Sequence, residues 1–366
     1  MEQLLRLCVT ELKAIMTNQP HAHLLSLATA VPPHILETSA IAKQAAETFR
    51  GMGGALSRLL PIYTNSEIER RYSICPMEWF LQPRGWPDRT EKFLQGAKAL
   101  FKEAAGKALA EANLKANEID VIVTVSSTGI ATPSIEAHML VDMGFRVDVQ
   151  RVPVFGLGCA GGISGLSLAA RLAVANPGKN ILIVVIELCT LAFRLDEMTK
   201  ANIVATAIFG DGAAAAVLCA GPRQGHGAFE FAGEHTWPGT LDVMGWRVDP
   251  EGFGAIFSRD IPDLTSKDLR PAADLFLARH QLAMADIEHF SFHPGGAKVV
   301  AALEPAFGLA EGRLQNERKI LAGYGNMSAP TVLFVLKETL AARASGRRFL
   351  GALGPGFTAS FITMMH

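Results

Sequence analysis

Three side chains of this chain are of types that together could do acyl-transfer chemistry: the thiol of Cys159, the imidazole of His293 and the amide of Asn326. A thiolate attacks a thioester carbonyl, a histidine takes or holds the thiol proton, and an uncharged amide N–H stabilises a developing oxyanion or enolate. A carboxylate in place of the amide would repel an enolate. Cys159 lies in Gly158-Cys-Ala-Gly-Gly, after the apolar stretch 152–157 and before the Ala- and Leu-rich stretch 163–174. That pattern predicts a strand, a turn and a helix, with the thiol at the helix start. Free backbone N–H groups and the macrodipole there favour an anion, so a lowered thiol pKa is expected.

His293 ends the run Phe290-Ser-Phe and is followed by Pro294-Gly-Gly, which predicts a turn at a strand end. Asn326, in Gly323-Tyr-Gly-Asn-Met-Ser, precedes a helical stretch, where asparagine is a favourable N-cap. Each residue also has a purely structural reading: a cysteine as a small buried hydrophobe, a histidine closing a strand end, an asparagine as a cap. Taken as a set, the three leave two chemistries open. One is decarboxylative condensation, in which the enolate of a malonyl thioester attacks an acyl-cysteine. The other is hydrolysis of an acyl-cysteine, which needs water. The Ala/Gly/Leu-rich flanks of Cys159 favour a dry site and so the first.

The elements that must position these groups repeat. In the first half a helix (90–112) leads to a strand at 118–125, the Cys159 turn, its helix, and a strand from Asn180. In the second a helix (271–281) leads to a strand at 286–292, the Asn326 turn, a helix through Leu340, and a strand from Arg348. Ile119 and Ile287 are 168 positions apart, and Cys159 and Asn326 are 167 apart. The same 22 residues separate Cys159 from Ile181 and Asn326 from Arg348. We read two copies of one α/β unit, residues 1–220 carrying the cysteine and 221–366 carrying His293 and Asn326. Cys159 and Asn326 then occupy equivalent helix starts that can face each other.

Composition bounds the alternatives. At 49% hydrophobic, 19% charged and a formal net charge of −1 over 366 residues, the chain has a large core and no electrostatic case for nucleic acid or an anionic membrane. Five scattered cysteines without a C-x-x-C pair argue against a disulfide framework and a structural zinc. The first twenty residues, with Glu2, Arg6, Glu11 and Lys13 between apolar positions, read as an amphipathic helix rather than a signal peptide. No uncharged membrane span is expected, and the expected location is cytoplasmic.

The words Gly158-Cys-Ala-Gly-Gly, Phe209-Gly-Asp-Gly-Ala, His293-Pro-Gly-Gly-Ala, Tyr324-Gly-Asn-Met-Ser and Gly354-Pro-Gly resemble the type III polyketide synthases, the chalcone-synthase-like members of the thiolase superfamily. The match runs from about residue 20 to the C-terminus. The resemblance implies a homodimer of the five-layer αβαβα thiolase-like fold. It further implies acyl-CoA loading on Cys159 and extension with malonyl-CoA, without a cofactor, metal or carrier protein. His293 and Asn326 would promote decarboxylation and stabilise the oxyanion.

It also marks substrate positions. Phe209 matches an aromatic between the CoA tunnel and the cavity, and Gly354, Pro355 and Gly356 match a cavity-wall loop preceded here by Ala352-Leu353 in place of Gly-Phe. Ser127 falls at a cyclisation-influencing position, and Arg58 is the nearest match to a CoA-phosphate residue. Departures point to a reshaped cavity. Ala192 replaces a cavity threonine, Ala255 a second gatekeeping aromatic, and Trp246 a glycine, while Thr132 replaces a methionine that reaches the partner subunit. Small residues at 192 and 255 open volume and Trp246 closes some elsewhere. With Met244-Gly-Trp and Ser258-Arg-Asp-Ile-Pro, which resemble bacterial members, this predicts a fatty acyl starter and an alkylpyrone or alkylresorcinol product. The alternatives are a single-condensation enzyme like ketoacyl carrier-protein synthase III, and a non-catalytic acyl-binding relative.

Overall fold

Runs of β-branched and small apolar residues become the strands of the protein. The computed structural model describes residues 21–52, 54–222, 225–258 and 260–366; the helix expected over residues 1–20 lies outside them. The strands are β1 (Ala22–Ala30), β2 (His34–Glu37), β3 (Arg70–Ser73), β4 (Val121–Val125), β5 (Gln150–Val154), β6 (Asn180–Leu188), β7 (Asp211–Ala220), β8 (Ala228–Thr236), β9 (Met244–Asp249), β10 (Gly252–Phe257), β11 (His289–Phe292), β12 (Arg347–Gly354) and β13 (Thr358–Met365). Nine of them form a sheet in the order β11-β12-β13-β8-β1-β7-β6-β4-β5, and β2–β3 and β9–β10 are separate two-stranded pairs.

That order displays the duplication. Apart from β5 at the edge, the first half reads inward β4, β6, β7, β1, with the first pair parallel and the next two antiparallel. The second half reads β11, β12, β13, β8 with the same senses. The halves meet where β1 and β8 share only the pairs Ala22↔Phe229 and His23↔Ala228. The repeat is incomplete. Among the described residues, β5 pairs with β4 and has no counterpart beside β11.

Alternation along the strands sorts the core into layers. On β6 and β7, Leu182, Val184, Ile186, Ala213, Ala215 and Val217 face outward onto the helix Trp86–Glu111, in one cluster with Phe93, Leu100 and Phe101. Their neighbours Ile181, Ile183, Val185, Ala214 and Ala216 face inward onto the helices Gly161–Ala175 and Thr331–Ala341. A third cluster, with Phe292, Phe349 and Phe361, covers the outer face of the second half. Helix, sheet, helix pair, sheet and helix make the five layers expected. Strands buried on both faces explain the near-continuous apolar runs.

One local expectation changes and another holds. The helix expected from residue 90 starts at Trp86, because Pro87 fits a first turn, where its missing N–H is not needed. The segment Gly158–Ala175 has the length and hydropathy of a membrane span despite Arg171, but 67% of it is buried inside the protein, as the core helix between the half-sheets.

Candidate active site

Cys159 lies in a single helical turn, Gly158–Ala160, that runs directly into the helix Gly161–Ala175, as the sequence predicts. Asn326 lies at the matching place in the second half, after the helix Gln315–Tyr324. The two starts touch. A Cβ on Gly162 would stand 2.3 Å from the Ala329 carbonyl oxygen, so a glycine is required for this approach. The Cys159 thiol is within hydrogen-bonding reach of the Ser328 hydroxyl and the Asn326 amide.

Four hydrogen bonds fix Asn326. Its N–H donates to the Ile208 carbonyl (2.8 Å), and its carbonyl accepts from Gly210 N–H (3.0 Å). Its Oδ1 accepts from Ser328 N–H (2.7 Å) and its Nδ2 donates to the Gly295 carbonyl (3.0 Å). The side chain therefore closes a turn two residues on instead of capping the helix, which begins only at Thr331. The Gly295 bond ties Asn326 to the turn after His293. His293 itself ends β11, its N–H donating to Gly351 O (2.9 Å), and is buried with no hydrogen-bond partner at either ring nitrogen.

Electrostatics depart from the expectation for Cys159. Burial pushes the thiol up to about 11, with the Glu187 carboxylate adding repulsion, although the Ser328 and Asn326 hydrogen bonds pull the other way. Burial pushes the His293 imidazole down to about 3. Desolvation thus outweighs the helix start for the thiolate, and it disfavours the imidazolium as well. A proton passed from the thiol to the imidazole would create both charges together, so that they attract. A neutral imidazole also offers one N–H donor without a charge.

Cys159, His293 and Asn326 line one cavity of about 560 Å3. Its walls are mostly apolar, with Met244, Phe257, Phe292 and Leu353 among them. Arg58, Lys200 and Lys298 line it as exposed residues, so its mouth is cationic. Lys200 and Lys298 were not legible as site residues in the sequence.

The other expected positions fall elsewhere. Phe209 lines a second apolar cavity of about 70 Å3, with Leu36, Ile41, Phe49, Phe80 and Phe193. Its ring stands 5.5 Å from Phe257 of the main cavity and 5.6 Å from Trp246, so this aromatic group separates the two spaces. Trp246 is directly opposite Ala255 in the β9–β10 register, so the indole occupies space beside the small residue and not elsewhere as expected. Ala255 packs with Phe209, Cys189 and Ala205. Ala192 is buried in the turn 189–192 and lines neither cavity. Thr132 is exposed.

Ser127 braces the nucleophile turn. Its Oγ accepts from Gly156 N–H (3.3 Å) and Gly158 N–H (3.1 Å), and its own N–H donates to Glu187 Oε2 (2.9 Å). Gly354 lies against the same turn, since a Cβ there would be 2.6 Å from that of Ala160, and Pro355 packs on Gly158. The carbonyl of Gly356 accepts from Thr240 Oγ1 (3.3 Å), which fixes the end of this loop. Phe209-Gly-Asp-Gly and Tyr324-Gly-Asn-Met are likewise two sides of one contact: a Cβ on Gly210 would be 2.5 Å from Tyr324 O.

The chain is similar to known proteins over most of its length. Residues 9–222 match the family model for the N-terminal domain of chalcone and stilbene synthases, and residues 228–363 match that for the C-terminal domain. A chalcone-synthase-type protein of Bacillus subtilis is 34% identical over 93% of this chain and 98% of its own length. A 1,3,6,8-tetrahydroxynaphthalene synthase of Streptomyces peucetius is 36% identical over 92% of this chain and 91% of its own. An alpha-pyrone-synthesis polyketide synthase-like protein of Mycobacterium tuberculosis is 28% identical over 91% and 88%. Among solved structures, the tetrahydroxynaphthalene synthase of Streptomyces coelicolor superposes with a TM-score of 0.87 at 26% identity, covering 94% of this chain and 99% of its own. The chain belongs to the chalcone and stilbene synthase family, the type III polyketide synthases, acyltransferases that carry out decarboxylative condensation.

Proposed function

We propose that this polyketide synthase loads a medium- or long-chain fatty acyl-CoA on Cys159, extends it with malonyl-CoA and releases an alkylpyrone or alkylresorcinol-type product. One observation carries the reading: a thiol, an imidazole with both nitrogens unpartnered and an amide converge on one largely apolar cavity with cations at its mouth. Those cations, Arg58, Lys200 and Lys298, suit the phosphates of CoA thioesters. The apolar space of about 70 Å3 beside Phe209 suits the end of an aliphatic chain.

The chemistry follows from the groups present. As the Cys159 sulfur bonds to the starter carbonyl, its proton moves to His293 and then to the departing CoA sulfur. In the extender, the bond to the carboxylate breaks, carbon dioxide leaves, and the electron pair moves onto the thioester oxygen. The His293 N–H and Asn326 Nδ2 donate to that enolate oxygen. The enolate carbon attacks acyl-Cys159, a carbon–carbon bond forms, and the thiolate leaves with the C–S electron pair. Nothing in these steps calls for a metal or cofactor.

A second copy of the chain completes the reading. Val141 and Val147 are 91% and 101% exposed, Ile130 and Phe155 more than half, and among the described residues no strand pairs with the outer edge of β5. We assign this apolar face, with Thr132 beside it, to a homodimer, which sedimentation tests. The 36% identity to a tetrahydroxynaphthalene synthase favours a second reading, an aromatic naphthalene product from malonyl-CoA alone. Incubation with malonyl-CoA with and without fatty acyl-CoA, read by mass spectrometry, separates the two. A product that contains the fatty chain supports the first, and a naphthalene product from malonyl-CoA alone supports the second.

A further inference from the structure

Glu317 belongs to neither the catalytic set nor any motif above, yet it sits where the internal repeat is broken. In the first half, the chain leaving β4 is held from the side by β5, with Ser126 N–H donating to Val154 O (3.1 Å). Among the described residues no strand occupies that side of β11. There the Phe292 N–H donates to Glu317 Oε1 at 2.9 Å, so a carboxylate stands where the repeat lacks a strand. Phe292 immediately precedes His293. The His293 ring has no hydrogen bond of its own, so its aim is set by its backbone, held by β12 on one side and by Glu317 on the other.

Glu317 lies in the first turn of the helix Gln315–Tyr324, whose far end delivers Asn326. The helix is therefore tied to the histidine turn at both ends, by Glu317 to Phe292 and by Asn326 Nδ2 to Gly295 O. Holding an acid here has a cost: Glu317 is 2% exposed, and burial pushes its carboxyl up to about 7, with Glu304 adding repulsion and Arg318 opposing it. An apolar side chain would fill the space without that cost, but it would leave the Phe292 N–H unpaired.

We propose that Glu317 is a positioning residue for the reaction, fixing His293 relative to Asn326 in place of the absent strand. This rests on the condensing-enzyme reading of the site. The test is steady-state decarboxylation of malonyl-CoA by full-length wild-type, Glu317→Leu, Glu317→Gln and Glu317→Asp proteins, with folding checked by circular dichroism. Wild-type protein without decarboxylation overturns the site reading itself, independently of Glu317. Given wild-type turnover, Glu317→Leu is expected to lower kcat by about 10- to 100-fold, the scale of a sub-ångström to ångström misplacement, with KM within about threefold. Glu317→Gln, which keeps the acceptor oxygen, restores kcat to within about threefold of wild type. Should Glu317→Leu not fold, Glu317→Asp is expected to lose kcat and Glu317→Gln to keep it. Wild-type kcat in folded Glu317→Leu, or equal kcat in the Asp and Gln variants, overturns the proposal. So does a loss that Gln does not rescue.

Discussion

Asn326→Asp changes one donor into an acceptor at nearly constant shape. The new carboxyl still accepts the Ser328 N–H at the place of Oδ1, so the turn is kept. It can no longer donate to Gly295 O, now 3.0 Å from Nδ2, unless it carries a proton. Leaving that carbonyl unpaired in a site where Asn326 is 3% exposed costs about 1–3 kcal/mol of stability. The effect on chemistry is larger. Loss of one donor aimed at an oxyanion costs about 10²- to 10³-fold in rate, about 3–4 kcal/mol of barrier, and a carboxylate adds repulsion. Decarboxylation, followed as acetyl-CoA formed from malonyl-CoA, should therefore fall at least about 100-fold. Acylation of Cys159, followed as a mass increase with starter alone, should fall far less, because that step forms no enolate for the amide to stabilise. Decarboxylation within threefold of wild type would refute the role given to the amide.

Three further outcomes follow from the geometry. Gly354→Ala drives a methyl onto Ala160 and the Leu157 carbonyl, 2.7 Å away, so the nucleophile turn must shift; we expect a loss of about 1–3 kcal/mol in a denaturant titration and a slower acylation of Cys159, and unchanged acylation speaks against the contact. Ala255→Phe places a ring against Phe209 and Trp246; competition between butanoyl-CoA and hexadecanoyl-CoA should shift at least tenfold toward the short starter, and an unchanged ratio rejects Phe209 as the gate to an acyl pocket. Burial raises the carboxyls of Glu187 to about 8 and of Asp211 and Glu317 to about 7. The folded chain thus keeps protons that the unfolded chain releases, and stability is full below the ordinary carboxylate range and lost as pH rises through these values. Thermal melts should show Tm falling between pH 7 and 8, where Glu187 makes the largest of the three contributions, up to about 1.4 kcal/mol of stability per pH unit. Glu187→Gln should flatten that interval, and a rising Tm there contradicts the assignment.

Much of the site could be read from the sequence because the gene-level repeat leaves a spacing that side chains cannot hide. The common offset made Cys159 and Asn326 equivalent before their helix starts were seen to meet at Gly162 and Ala329. The motif words were readable for a related reason: glycines at 158, 210 and 354 are required by close contacts between those very words. What stayed hidden depends on absence or on three-dimensional register. The role proposed for Glu317 follows from the open side of β11, beside which the described residues place no strand, and no local pattern announces a missing strand. Trp246 and Ala255 look like independent changes until the hairpin pairs them. The direction of the Cys159 shift was missed because a helix start is visible in sequence while the dryness of the surrounding site is not. Lys200 and Lys298 are ordinary surface lysines until the fold sets them beside the cavity.

The account's central claim is that Cys159 carries a fatty acyl group through repeated decarboxylative condensation. Intact-protein and product mass spectrometry of one reaction, with hexadecanoyl-CoA, malonyl-CoA labelled in its methylene carbon, and Cys159→Ala as the control, tests it most directly. We expect a hexadecanoyl adduct confined to the tryptic peptide containing Cys159 and a released product that holds the fatty chain plus more than one labelled two-carbon unit. The variant should form neither. A product with a single two-carbon extension, or an adduct that persists in Cys159→Ala, would contradict the account.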